Sequence, residues 1–374
     1  MLIGALCLSP FGHSQDQPPA KPPFPAPRLW KEFDGMCEVA RVSPDGKLVA
    51  VVAGKRGRLD KNMVIVYETP TGKERCRFPA LHSAAGFSGT VTFTPDGKRL
   101  VSVVARVPKN PQRGAADHDA IVTDAATGKQ LFAIPLRDGQ FMHDHGRYAV
   151  SDKILVVAGK NEAATVYDLT TGKALGDLPG GQRLGKIALS RDGRWLVASA
   201  GKRANIPWEL EIHVWDVQKR AYCGKINTHK SPIRSLALSH DGASCAFAAH
   251  ADPHLYVIDR ASGEKKATCD VVLVTQRVRF TSDGKTLVAG GYGPNHGLVF
   301  WDWRTSKEIR GGYPKGAETI ARLRSQSSEA ERKAWHWRNM MDFGMSDDGK
   351  TIAFVTEHDK LFLLELAPPK PLEK

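Results

Sequence analysis

The feature that most constrains this chain is a unit of about fifty residues that recurs along nearly its whole length. Each copy has a short apolar stretch, a Ser/Thr-x-Asp-Gly turn, a strand rich in Val and Ala, a variable loop, a strand ending in an acid, and a Gly-Lys turn. The Asp-Gly turns stand at Asp45-Gly46, Asp96-Gly97, Asp192-Gly193, Asp241-Gly242, Asp283-Gly284 and Asp348-Gly349. Asp-Gly readily takes the positive φ angles of a tight hairpin, and alternating apolar residues flank each pair. A seventh, degenerate copy lacks the glycine and runs from Ala149 to Val156.

The acid-ended strands are expected at Val64–Glu68, Ile121–Asp124, Thr165–Asp168, His213–Asp216, Leu255–Asp259, Leu298–Asp302 and Leu361–Glu365. Most precede a turn and a basic residue, as in Thr71-Gly72-Lys73 and Thr127-Gly128-Lys129. Each unit thus holds four short strands, a to d. One such sheet cannot bury both its faces alone, so the copies must stack about a common axis.

These residues resemble the WD-repeat β-propellers. The best match runs from Ile212-His213-Val214-Trp215-Asp216 through Thr228-His229 to Asp241-Gly242, and Trp301-Asp302 supplies a second Trp-Asp pair. The resemblance covers roughly Arg28 to Pro368 and implies an all-β, seven-bladed propeller of four-stranded antiparallel blades. Five copies carry Tyr67-Glu68, Thr123-Asp124, Tyr167-Asp168, Ile258-Asp259 or Leu364-Glu365 in place of Trp-Asp. The family's buried His–Asp–Ser–Trp network is therefore expected to be incomplete in most blades. The seventh copy reaches only its third strand before Pro368-Pro369, and Arg28–Phe33 reads as the missing fourth. Its addition to the last blade would pair both open edges and close the ring, as in that family.

Residues 1–14 read as a truncated signal peptide, residues 15–27 as a Pro-rich linker, 28–369 as the propeller and 370–374 as a tail. The apolar run Leu2–Leu8 is too short to cross a bilayer as a helix, and Gly12 and Ser14 are placed for cleavage before Gln15. No basic residue precedes it, so a misplaced start codon or a frayed N-terminus of a cytoplasmic chain is the competing reading; export to the periplasm or outside the cell is preferred. Six prolines between Pro18 and Pro27 favour an extended, stiff spacer. Beyond them Cys37, Cys76, Cys223, Cys245 and Cys269 form no C-x-x-C pair, so buried thiols on strands are expected rather than disulfides or a zinc site.

In propellers of this type the b–c and d–a connections share one face. All the long connections fall there: Gly54–Asn62, Ala105–Asp119, Gly201–Leu210 and an insertion of about 314–340 before the last blade. Variable loops on a rigid scaffold are where binding usually sits. The first three contain Lys55, Arg56, Arg58, Lys61, Arg106, Lys109, Arg113, Lys202 and Arg203 against Asp60, Asp117, Asp119 and Glu209. That basic excess matches a chain of net charge +13 and suits acidic partners. Lysine is also common on the opposite face, at Lys47, Lys98, Lys285 and Lys350, so the rim alone does not define a site.

Histidines concentrate on the long-loop face, most densely in Asp117-His118-Asp119 and His143-Asp144-His145 on adjacent blades. Two His with two Asp would suit a transition metal, yet the spacing is no known ligand signature, and neither metal nor cofactor is assigned. A pH-responsive surface is the looser reading. Within the insertion, Ser328-Glu329-Ala330-Glu331 is a capping box, and a short helix over Glu329–Trp337 would present Trp335 and Trp337. Those tryptophans read either as a docking lid or as anchors pinning a long loop.

No nucleophile elbow, phosphate-binding loop, H-E-x-x-H or dinucleotide fingerprint occurs. The sequence points to a non-catalytic scaffold binding a protein partner, with an acidic ligand second. Nucleic acid ranks low because no reading head or stacking-aromatic motif is present. The alternative is a lactonase- or hydrolase-like propeller enzyme using the His/Asp cluster at the channel mouth, since fold does not fix function. The candidate binding residues are Arg56, Arg58, Arg106, Arg113, Asp117, His118, Asp119, His143, Asp144, His145, Trp335 and Trp337.

Overall fold

The structure, a computed structural model, describes residues 27–55, 58–80, 90–105, 118–136, 147–158, 164–180, 184–200, 211–228, 231–250, 252–270, 274–292, 297–310, 340–356 and 359–366. These residues form seven sheets of four antiparallel strands each. The first strands of the blades are β2 (Met36–Val42), β6 (Thr90–Phe93), β10 (Tyr148–Val150), β14 (Leu184–Leu189), β18 (Ile233–Leu238), β22 (Val274–Phe280) and β26 (Met340–Met345). They pack on one another about the axis and surround a channel.

There is no single core. Seven apolar clusters fill the gaps between neighbouring blades. Between blades four and five, Val197, Ile212 and Val214 meet Ile233, Leu236, Cys245 and Phe247. Strand alternation turns Val, Ala and Leu to both faces of every blade, and each fully buried aliphatic side chain contributes about 1.5–3 kcal/mol.

The a–b turn is built the same way six times. Ser239 Oγ donates to Asp241 Oδ1 at 2.5 Å, while that carboxylate accepts from Ala243 N and the Ser239 hydroxyl accepts from Ser244 N. Ser43, Thr94, Ser190, Thr281 and Ser346 repeat the clamp with Asp45, Asp96, Asp192, Asp283 and Asp348. Gly242 turns at φ 70°, and a Cβ there would lie 2.7 Å from the Trp195 ring. The degenerate third copy closes a shorter turn, Ser151 N to Ile154 O at 2.9 Å, and its Asp152 accepts from Asp96 N of blade two. In the c–d turns Arg220 and Ser306 hold φ near 51° and 52°, where blades one, two, three and five use glycine.

Closure is as the sequence implied. β1 (Arg28–Glu32) pairs antiparallel with β28 (Lys360–Glu365), Arg28 opposite Leu363 and Glu32 opposite Lys360. Trp30 and Phe33 pack on the cluster between blades seven and one, and Lys360 Nζ lies 3.0 Å from Glu32. The N-terminal strand thus completes the last blade.

Three expectations need adjustment. The Gly54–Asn62 excursion is largely strand: β3 (Leu48–Lys55) and β4 (Arg58–Glu68) stay paired as far as Lys55 and Arg58. Gly54 permits this, because Asn62 occupies the space its Cβ would fill. None of the five described cysteines is in a disulfide, but only Cys37, Cys245 and Cys269 are buried. Cys223 is exposed and Cys76 half-buried; both lie on fourth strands, as does Cys269, whose side chain turns inward into the cluster between blades five and six. Neither Trp-Asp copy uses its indole in the family's network: Trp215 Nε1 donates to Pro179 O at 2.8 Å, and Trp301 Nε1 is buried without a hydrogen-bond partner.

Candidate functional site

Most residues singled out on the long-loop face lie outside the described residues: Arg56, Arg106, Arg113, Asp117, His143, Asp144, His145, Trp335 and Trp337. The helix expected over Glu329–Trp337, the leader and the Pro-rich linker do so too. Arg58 opens β4 opposite Lys55. His118 and Asp119 open β8 (His118–Asp124), half-buried and paired with Ala105 and Val104 of β7 (Arg99–Ala105). Among the described residues no three His, Cys, Asp or Glu side chains converge as a metal site.

Two histidines show what the fold does with this residue type. His254 sits at the long-loop end of blade five, its Nδ1 2.7 Å from Asp252, which also accepts from Tyr256 OH at 3.0 Å. Burial, then the bond to Asp252, pushes the Tyr256 phenol up to about 12. His213 is buried on the wall of blade four between Glu211 and the Tyr222 hydroxyl. Burial lowers its pKa, which keeps the imidazole neutral and structural.

The channel is the strongest site that the sequence reading passed over. It encloses about 570 Å³ and is lined by Arg41, Lys186, Arg191, Arg234, Arg277 and Arg279, and among the described residues its only carboxylates are Asp342 and Asp347. These side chains come from first strands and turns that the sequence showed only as short apolar stretches. A signal was present. Aligned on the turn hydroxyl, the residue two places earlier is Arg41, Thr92, Ala149, Ala188, Ala237, Arg279 and Gly344 in blades one to seven. Alternation turns that position toward the axis.

Four of these charged groups, Arg41, Arg277, Arg279 and Asp342, collect around blade seven. Asp342 is buried and pairs with Arg41 of blade one, while Arg277 Nε of blade six lies 2.6 Å from its Oδ1. Gly344 allows this approach, because a Cβ there would stand 2.4 Å from Val42 N and 2.5 Å from Arg41 Cα. Arg279 has a different environment: its Nε is buried with no hydrogen-bond partner. Burial, and then the charge of Arg41, depress Arg277 to about 9 and Arg279 to about 10. Both remain cations at neutral pH.

At the turn face the channel is crossed. Arg191 of blade four pairs with Asp347 of blade seven and donates from Nη2 to Pro95 O of blade two at 2.9 Å. That clasp spans the channel between the short turns. A larger cavity of about 790 Å³ lies on the turn face between blades one and two, but Lys47, Arg75 and Lys98 there face Asp45, Glu68 and Asp124. It has no charge bias.

The architecture is that of a WD-repeat-like β-propeller, seven four-stranded antiparallel blades in a ring. No family model matches the sequence, and no curated protein matches it. Among solved structures, a chain in the crystal structure of the mitotic checkpoint complex has a similar fold, with a TM-score of 0.65 at 15% identity. The match covers 97% of this chain and 100% of that one. At that identity the likeness is one of fold. Among the described residues no helix is long and apolar enough to cross a membrane.

Proposed function

We propose that this propeller is a non-catalytic interaction scaffold that docks an acidic protein partner on its long-loop face and works after export from the cytoplasm. The observation that carries the reading is the asymmetry of the connections. Every described a–b turn is short and six of the seven are clamped, whereas the long connections of blades two and four and that before blade seven, 106–117, 201–210 and 311–339, join strand ends on the other side. A non-covalently closed ring holds those strand ends rigid, so variable segments can be displayed without loss of the core. A fold neighbour that sits in a protein complex agrees with a binding role. The basic residues of the long connections favour an acidic surface, acting chiefly on encounter rate within roughly 8–10 Å at physiological salt.

The test compares two charge reversals in the full chain. Replacing Arg56, Arg58, Arg106 and Arg113 by Glu should leave melting within about 0.5 kcal/mol per site, weaken capture of the partner and flatten its salt dependence. Replacing Lys47, Lys98, Lys285 and Lys350, all exposed on the turn face, should do neither. Equal loss from both variants would reduce the effect to unspecific charge, and loss from the second alone would move docking to the turn face. Hydrolysis in a panel of lactones and esters would replace the scaffold reading by an enzymatic one.

A further inference from the structure

We propose that the central channel carries a binding site for a compact oxyanion, a phosphate or sulfate group, held by Arg279 together with Arg41 and Arg277 where blades six, seven and one meet. The inference is independent of the docking face and rests only on described residues. Three guanidinium groups face one another across β26, and a single carboxylate, Asp342, stands among them. Asp342 is spent on Arg41 and Arg277, and Asp347 is paired with Arg191 at the turn-face mouth. Among the described residues Arg279 has no ion pair, and its Nε is both buried and unpartnered.

An arginine cannot relieve this by releasing its proton, because its ordinary pKa is above 12. Burial and Arg41 lower Arg279 only to about 10, so at neutral pH the cluster keeps its excess positive charge. Arg279 is half-buried, with its Nε buried and unpartnered, and leaving such a donor unsatisfied costs free energy. A tetrahedral oxyanion relieves it, because guanidinium forks bind such groups in two-point contacts and a double negative charge matches what the cluster lacks. Gly344 sharpens the site by letting β26 approach β2 closely, which sets Asp342 beside Arg41 and leaves Arg279 as the free donor.

The channel also limits the size of the ligand. Its volume is about 570 Å³, and Arg191 crosses it at the turn face. A small ion or the phosphorylated end of a small molecule suits a cavity of this size.

The experiment titrates the full chain with inorganic phosphate, inorganic sulfate and phenyl phosphate by calorimetry, with chloride holding ionic strength constant, and follows the melting midpoint. Saturable binding and a raised midpoint are expected, with R279Q weakening the affinity about tenfold or more. The ligand-free midpoint of R279Q should equal or exceed that of the wild type, because like-charge repulsion is relieved. R279K should fall between the two, keeping the charge and losing the fork, and K47Q should bind as the wild type does. Binding of phenyl phosphate as tight as phosphate assigns the site to an ester, and binding of the inorganic ions alone assigns it to a free ion. No saturable heat at millimolar phosphate and sulfate, or identical titrations of wild type, R279K and R279Q, overturns the proposal. If R279Q does not melt cooperatively, the wild-type titrations and R279K decide the matter.

Discussion

Two halves of the channel wall differ although the repeat that builds them is the same. Two residues before the turn hydroxyl, blades three, four and five present Ala149, Ala188 and Ala237, whereas blades six, seven and one present Arg279, Gly344 and Arg41. The turn that follows is the same hydroxyl–aspartate clamp in blades four to seven and blade one. A repeat fold needs this level of the wall only to be small enough to pack. Alanine satisfies that need, so packing alone does not call for the arginines of the other half. The charged half is also where the ring closes, since Arg41 and Asp342 join the first and last blades inside while β1 joins them outside.

The largest expected effect tests whether closure holds the charged half together. A chain beginning at Asp34 loses the β1–β28 pairing and the packing of Trp30 and Phe33. That should cost about 5 kcal/mol or more from lost burial and hydrogen bonds. Denaturant unfolding measures it, and a melt like that of the full chain would show that the inner ion pairs close the ring unaided.

Next in size is Asp342→Ala, which strands Arg41 and Arg277 without their shared carboxylate. Breaking a buried pair from one side costs about 3–5 kcal/mol. Ala188→Ser, one inward-facing position nearer the turn on the other wall, should stay within about 0.5 kcal/mol. Equal costs in urea melts would erase the difference between the halves.

How far the sequence reveals this contrast follows from the range of the signals. Turns and outer strands are legible because Asp241-Gly242 or Trp215-Asp216 carries its meaning within a few residues. The closing strand is legible because the last copy lacks a partner. The channel is not, because Arg41, Arg277 and Asp342 are scattered over some 300 positions (|i−j| = 301 for the Arg41–Asp342 bond) and meet only when the ring shuts. Each alone looks like one charged residue in a short apolar strand. The expected His/Asp site and the tryptophan lid rest on local density in long connections, where no repeat constrains geometry, and apart from His118 and Asp119 their residues fall outside the described ones.

A smaller effect probes the close approach at blade seven. Gly344→Ala places a methyl 2.4 Å from Val42 N, a backbone atom that cannot step aside like a side chain. Overpacking of this kind costs about 1–3 kcal/mol. In the alanine half the reverse change, Ala237→Gly, should cost only about 0.5–1 kcal/mol through chain entropy. A neutral Gly344→Ala in thermal melts would mean that β26 and β2 can separate, and the charged half would lose its reason for a glycine.

The smallest effect asks whether the asymmetry stops at the channel. Ser239→Ala in the alanine half and Ser346→Ala in the charged half remove the same clamp, and each should cost about 1 kcal/mol. The Ser239 hydroxyl, with the Ala243 N–H behind it, holds the Asp241 carboxyl below its ordinary value. In Asp348 burial works upward, but the Ser346 hydroxyl and the Lys350 N–H outweigh it and the net shift is also down. A carboxylate with a depressed folded pKa binds protons less readily than in the unfolded chain. Its stabilisation is therefore complete above the ordinary value near 4 and is lost as the pH falls through the lowered folded one. Each variant should thus lie below the wild type by a constant margin from pH 8 to 5, and the gap should narrow in acid as the clamp disappears from both. Matched curves for the two serines would confine the asymmetry to the arginines. A larger loss at Ser346 alone would extend it to the turn face, and Asp347, one residue on and paired with Arg191, would be the contact that carries it there.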